Sequence, residues 1–322
     1  MANTTTTQVP STVSAYYDRN LLTRAYPLFL HTRFAQVRDI PRNNTEVIKF
    51  RKYGSLTAAT TALTEGVTPS GSQLSITDIT ATVAQYGDFV TLSDFVQITT
   101  LDPLLMETSE VLGDQMGDSL DQITRDVLQA GTTIQYAGGA VSRITVAAGM
   151  VMNADEVRKA VRTLKGNNAK KIMTQIDPGT GYNSLPVRAA YVAICSHNTE
   201  YDLKKDPDFV GVEQYASGVS VLEGEIGKVD EVRILSATSN SKVFSAAGAG
   251  SIDVHSMLIF GREAYGITRI SGEAVQTITK PLGSAGTNDP LDQRGTMGWK
   301  ATFVAKILQQ AFMIRIEHAV SS

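Results

Sequence analysis

The chain is poor in the residues that carry most protein chemistry. It has one cysteine, one tryptophan and four histidines among 322 residues. Cys195 alone excludes an intrachain disulfide framework and fits a reducing compartment. His31, His197, His255 and His318 have no metal-ligand spacing, and the chain contains neither an HExxH sequence nor a cysteine pair, so no metal is expected. Gly248-Ala-Gly250 lacks the third glycine of a dinucleotide loop, no Walker sequence occurs, and no cofactor is expected. No apolar run approaches the roughly 18 residues needed to cross a membrane. The opening MANTTTTQVPST is polar and lacks the apolar core of a signal peptide. A further lack is local. From Tyr53 to Thr124 there is neither Lys nor Arg.

That basic-free span holds ten acids, Glu65, Asp78, Asp88, Asp94, Asp102, Glu107, Glu110, Asp114, Asp118 and Asp121. Before it lie eight basic residues, among them Arg19, Arg24 and Arg33, against three acids. Net charge is therefore +5, then −10, then +2, which gives the −3 of the whole chain. A monomer gains little from such segregation, because exposed ion pairs contribute about 0–1 kcal/mol each. Copies that must meet in one orientation gain pairing specificity from complementary patches. The charge pattern thus predicts an assembly subunit. Arg19, Arg24 and Arg33 on one side, and Glu65, Asp78, Asp114 and Asp118 on the other, are the candidate intersubunit residues.

The 42% hydrophobic share is enough for a folded core in one large or two ordinary domains. Residues 1–45 have few apolar clusters and predict an extended arm with a short helical piece. From Glu46 to Tyr53 the alternation predicts a strand, and Leu74 and Ile76 resume it after a Thr- and Ala-rich stretch. The phase slips at Asp78, which predicts a bulge, and Ile79, Ala81 and Val83 continue. Residues 46–100 therefore read as a long β-hairpin leaving the core, with exposed edges that need a neighbouring copy. Asp102 and Pro103 then open a long helix to Gly131, with Leu105, Leu112, Met116, Leu120, Ile123 and Val127 as its apolar stripe. A loop or small hairpin is expected over 132–150. A second, basic helix runs from Asn153 to Lys165, with Asn153 and Glu156 in capping-box spacing. Beyond Ala189 the segments predicted are strands at 191–194, 219–222, 232–235 and 257–260, a helix over 198–205, turns at Gly224 and Gly227, and a long strand or strand pair over 295–320.

The order of these parts, and three local stretches, resemble the major capsid proteins of tailed double-stranded-DNA bacteriophages, which share the α+β Hong Kong 97-like capsid fold. The stretches are Leu63-Thr-Glu-Gly-Val-Thr-Pro69, Gly224-Glu-Ile-Gly227 followed by Val232-Arg-Ile-Leu235, and Asp289-Pro-Leu-Asp-Gln-Arg-Gly-Thr-Met-Gly-Trp-Lys300. The resemblance implies an N-terminal arm (1–45), an extended loop (46–100), a peripheral domain with a spine helix (101–188), an axial domain (189–266) and C-terminal peripheral strands (267–322). It implies a homo-oligomeric icosahedral shell of pentamers and hexamers, assembled in the bacterial host cytoplasm and carried in the virion. Packaged double-stranded DNA would be held weakly, since tight binding needs many phosphate contacts. Only a short polar tail precedes the arm, so scaffolding is expected from a separate protein, with a portal and a cementing protein as further partners. The loop has no Lys beyond Lys49 and Lys52 at its base, which argues against isopeptide cross-linking.

Two competing readings follow. An encapsulin compartment would share the fold and enclose an enzyme cargo. A hydrolase would use Cys195 and His197, which alternate on one strand and so could point the same way. A Cys at a buried strand end beside a surface His is the commoner arrangement, and no enzyme is expected.

Overall fold

The computed structural model describes residues 30–54, 56–63, 65–68, 70–99, 104–172, 189–215, 221–237, 241–272, 274–284 and 289–321. The strands in chain order are β1 (Gln36–Ile40), β2 (Val47–Tyr53), β3 (Ile76–Thr82), β4 (Ala84–Ser93), β5 (Ile134–Tyr136), β6 (Tyr191–Ser196), β7 (Val210–Gly211), β8 (Glu225–Val229), β9 (Val232–Ala237), β10 (Val243–Phe244), β11 (Val254–Phe260), β12 (Tyr265–Ile270), β13 (Val275–Lys280), β14 (Arg294–Ile307) and β15 (Met313–His318). The helices are α1 (Asp94–Thr99), α2 (Leu104–Gln129), α3 (Ala154–Gly166) and α4 (His197–Lys204).

Three sheets result. In the first, β14 is the central strand. β4 and β13 pair antiparallel with it along opposite edges over Thr296–Ala301, β12 pairs with its last residues, and β1 lies parallel to β12. The second runs β5-β15-β11-β6-β9-β8-β7, with β10 beside β11. The third is a two-stranded ribbon of β2 and β3.

The helical stripe expected on α2 forms, and its function is to seal the first sheet. Leu112, Met116 and Leu120 are buried against Met297, Trp299 and Phe303, the alternate residues of β14 that face the helix. Each such side chain contributes roughly 1.5–3 kcal/mol when fully buried. Leu105 lies among residues whose side chains are not described, as do the predicted cap Asp102 and Pro103. At about 1.5 Å per residue the 26 residues of α2 make a rod of roughly 40 Å. Its last turn reaches the second sheet, where Leu128 packs with Val192, Leu258, Phe260 and Tyr265. The opposite face of that sheet is covered by α3, through Val157, Val161 and Leu164 against Tyr191, Ile234, Met257 and Ile316.

Several sequence expectations are corrected. Residues 36–40, read as arm, are strand β1, and Leu30, Phe34 and Ala35 pack on the Phe260–Tyr265 core. The Phe34 and Phe260 rings meet at a tilt of 56° with centroids 5.8 Å apart. The few apolar residues there were sufficient because they pack on an already buried core. The bulge at Asp78 is absent. Tyr53 to Val47 pair with Ile76 to Thr82 without a break, since a ribbon solvated on both faces is not bound to one apolar phase. Phe95 and Val96 lie in α1 rather than in a strand. Gly227 is inside β8, where an added Cβ would sit 2.3 Å from the Phe209 ring; only Gly224, at φ +78°, is a turn glycine. Leu222 lies outside any strand, and residues 219–220 are outside the described residues. The long C-terminal segment is a strand pair split between sheets, β14 in the first and β15 in the second. The two sheets therefore do not follow the expected sequence segments, because α3, β5 and β15 all join the sheet built mainly from 191–260.

Candidate assembly surfaces

Among the described residues, the ribbon has little support from the rest of the subunit. Among the described residues, Tyr53, Leu56, Leu63, Val67, Leu74 and Ile76 are exposed large apolar side chains, with Leu63 77% accessible. Among the described residues its two strands bond only to each other as a sheet, and neither outer edge has a ladder partner. A turn lies at Glu65-Gly66 within the connection, where Gly66 has φ +76°. Between Gly54 and Ser75, joined by a backbone bond of 2.9 Å, the connection contains no strand among the described residues.

The root of the ribbon is rigid by contrast. β3 runs into β4, whose ten-residue ladder on β14 extends from Ser93↔Arg294 to Ala84↔Phe303. Asp88 on β4 accepts a hydrogen bond from Gln115 Nε2 at 2.6 Å, and Gln115 Oε1 accepts from Trp299 Nε1 at 3.2 Å. One carboxylate, one amide and one indole thus join β4, α2 and β14. The Gln115 bond, with that from the Phe89 amide, holds the Asp88 carboxyl below its ordinary range. Its contribution is present above the usual carboxylate pKa and is lost as pH falls through the folded value. The Asp289–Lys300 stretch builds this junction. Asp289 Oδ2 accepts from the Arg294 amide at 2.7 Å, closing the turn into β14, and Asp292 takes the left-handed conformation at φ +53°. Gly298 allows β4 to approach, since a Cβ there would meet Asp88 O at 2.7 Å.

The candidate charged residues separate under this geometry. Arg19 and Arg24 lie outside the described residues. Arg33 donates to the Glu223 carbonyl at 3.1 Å within its own subunit. Asp78 faces Arg51 across the ribbon, with Nε and Oδ1 3.6 Å apart. Asp118 accepts from Gln122 at 2.7 Å and, like Asp114, is half-buried on α2. Glu65 is exposed at the ribbon tip. Much of the −10 span is thus engaged within the subunit, and the structure does not bring the five described candidates, Arg33, Glu65, Asp78, Asp114 and Asp118, into one cluster.

One acid of that span proves to be a core anchor. Asp121, fully buried, accepts from the His31 amide at 2.6 Å, from His31 Nδ1 at 2.7 Å and from the Thr32 amide at 3.4 Å. Tyr265 donates its hydroxyl to the His31 carbonyl. This tie fastens the segment before β1 to α2 and β12. The apolar stripe gave no signal for it, because Asp121 shares its helical phase with Thr124 and with Leu128 two turns on, about 140° round the helix from Leu112, Met116 and Leu120.

The basic helix α3 is occupied by its own subunit. Arg158 bonds Asp155 (3.1 Å), Asp208 (2.8 Å) and Asp230 (2.9 Å), and Lys165 meets Glu231 at 2.7 Å. Catalytic chemistry is also absent where it was weighed. Cys195 is buried in the α3-covered core, its thiol pushed up by burial, whereas His197 is exposed at the start of α4. Among the described residues no group of three or more His, Cys, Asp or Glu could hold a metal ion.

Comparison with known proteins places the whole arrangement. Residues 76–316 match the profile of the family described as phage capsid protein. A major capsid protein of Pseudomonas phage KPP21 is 26% identical over 218 residues, 58% of this chain and 54% of that protein, so the match spans about half the relative's length. The capsid of Ralstonia phage GP4 superposes with a TM-score of 0.69 at 16% identity, covering 89% of this chain and 87% of that one. A holo-SrpI encapsulin from Synechococcus elongatus shares the fold more distantly, with a TM-score of 0.55 at 6% identity over 89% of this chain and 86% of its own. The fold is Hong Kong 97-like, and because the profile runs from the returning strand of the ribbon, β3, into β15 and so takes in most of both large sheets, the chain belongs to the phage capsid protein family.

Proposed function

We propose that this chain is the major capsid protein of a tailed phage, a structural and non-enzymatic subunit that closes into the icosahedral shell around the genome. The observation that carries the reading is the β2–β3 ribbon. Two strands alone are marginal in water, this pair and the connection between its strands carry six exposed large apolar side chains, and among the described residues neither outer edge has a ladder partner. A neighbouring subunit supplies what the ribbon lacks. Each contact is weak, many act at once, and closed symmetry multiplies them. In this reading the first sheet and α2 form the peripheral body, and the second sheet turns towards the pentamer and hexamer centres. Arg19 and Arg24 of the basic arm reach a neighbour's acidic surface, with Glu65, Asp114 and Asp118 as its partners. Asp78 and Arg33 keep their own-subunit bonds. A separate scaffolding protein, a portal and a cementing protein complete the head. Packaged DNA is held loosely, consistent with α3 having committed Arg158 and Lys165 to its own carboxylates.

Replacing residues 55–74 with Asn-Gly tests this directly. Gly54 and Ser75 already face each other, so a two-residue turn closes the ribbon without disturbing β4. The expected product is a soluble, folded subunit that forms no shells by electron microscopy when expressed with its genomic neighbours. Normal shells from that variant remove the connection between β2 and β3, with its exposed apolar side chains, from assembly. Converting Arg19 and Arg24 to Glu is expected to lower shell yield at low salt, and an unchanged yield there excludes the arm's electrostatic role. The fold also serves an encapsulin, and particles that copurify with an enzyme cargo instead of DNA decide for that compartment.

A further inference from the structure

Where β11 and β15 meet α4, two buried histidines are joined through two hydroxyls. His255 and His318 are register partners on adjacent strands, 4% and 0% exposed, with ring centroids 6.2 Å apart. His255 Nδ1 lies 3.2 Å from Ser196 Oγ, which lies 2.9 Å from Thr199 Oγ1, which lies 3.2 Å from His318 Nε2. At the far end His318 Nδ1 is 2.7 Å from the carbonyl oxygen of Ala319.

The direction of every bond follows from that carbonyl. A carbonyl oxygen only accepts, so neutral His318 carries its proton on Nδ1 and leaves Nε2 as an acceptor. Thr199 must then donate to Nε2 and accept from Ser196. Ser196 Oγ, which also caps α4 by accepting from the Thr199 amide at 3.2 Å, has one proton and gives it to Thr199. Only His255 Nδ1–H can complete the chain. Both rings are thereby held in the tautomer with the proton on Nδ1.

One extra proton fits without loss. It can enter at the free Nε2 of His255 and leave the chain unchanged. Alternatively it can enter at Nε2 of His318, in which case both hydroxyls reverse and His255 moves its own proton from Nδ1 to Nε2. A second proton has no such solution. With both rings donating inward, one of the two hydroxyls loses its acceptor, and two buried cations stand 6.2 Å apart.

We propose that this four-member relay is a proton-counting latch, which accepts one proton per subunit intact and opens on the second, releasing the C-terminal residues it fastens. The tail depends on the same place. Ser321 donates its amide to Asp202 of α4 at 3.0 Å and its hydroxyl to the same carboxylate, and Lys205 reaches Ser321 Oγ at 3.3 Å. The charged and titratable groups facing the two rings are Asp202 and His197 from α4 and Asp253 ahead of β11. The carboxylates favour protonation and His197 opposes it, while burial is the largest influence and keeps both rings neutral at pH 7.

The test is a long-range proton–nitrogen NMR titration of the full chain with 15N-labelled histidine, where only four residues contribute and single substitutions assign them. At pH 7 both His255 and His318 are expected as Nδ1–H tautomers. On acidification one proton enters the pair first. The second coincides with a hundredfold or greater loss of hydrogen-exchange protection at the Ser321 amide. In Thr199→Val the relay is cut, and the two rings are expected to titrate independently. An Nε2–H tautomer on either ring at pH 7, or uptake of two protons with tail protection unchanged, overturns the proposal. Should the Val variant not fold, the wild-type tautomers and the exchange profile still decide it.

Discussion

Asp121→Ala is the substitution that best tests how the segment before β1 is held. The carboxylate accepts three N–H groups, two of them from His31, which is 2% exposed. Removing it leaves those donors facing an apolar cavity, and each buried donor without an acceptor costs about 1–3 kcal/mol. The expected loss is therefore about 3–5 kcal/mol. Taking roughly 3 kcal/mol/M as the urea slope, the unfolding midpoint of the unassembled subunit falls by about 1 M or more. Asp121→Asn separates the contacts from the charge. Its amide oxygen still accepts from the His31 amide, and its NH2 can donate to Nδ1 once the ring moves its proton to Nε2. That variant is expected to lose only about 1 kcal/mol. The assay is equilibrium urea unfolding followed by far-ultraviolet circular dichroism and by Trp299 fluorescence, which reports the same core. A shift below about 0.3 M for the Ala variant, or equal losses for Ala and Asn, would refute the reasoning that hydrogen-bond satisfaction at Asp121 anchors this segment.

Two further outcomes are expected. Gly298→Ala places a Cβ 2.7 Å from both Asp88 O and Phe89 Cβ, and because the obstacle includes backbone, β4 must shift from β14; a loss of about 1–3 kcal/mol in thermal or urea unfolding is expected, and a neutral result contradicts the close approach. Cys195 should resist alkylation in the folded subunit at pH 7–8 and react at the ordinary rate in urea, with His197→Ala changing neither rate; rapid labelling of the native chain would reopen the hydrolase reading.

Much of the architecture could be read in advance, for reasons particular residues make plain. The stripe Leu112, Met116, Leu120 repeats at helical spacing, so one face of α2 had to be buried whatever its partner. Alternation over Val47–Tyr53 likewise reports local geometry, an extended strand. The charge segregation pointed towards assembly, yet several of the residues behind it, Asp78, Asp121 and Arg33, turned out to be committed within the subunit. Net charge counts residues and is blind to which of them a fold will pair.

The order of elements, the apolar stripes, the absence of catalytic and metal-binding patterns and the resemblance to capsid proteins are properties of the sequence by itself, because they depend on neighbours within a few positions. Tertiary structure alone decided which sheet each strand joins, placing β15 beside β11 and β14 beside β4 across separations of more than fifty and two hundred residues. It also decided that Asp121 meets His31, ninety positions away, and that His255 shares a relay with His318. Such contacts are fixed by how whole sheets pack, and a local pattern carries no record of what will lie on its other side.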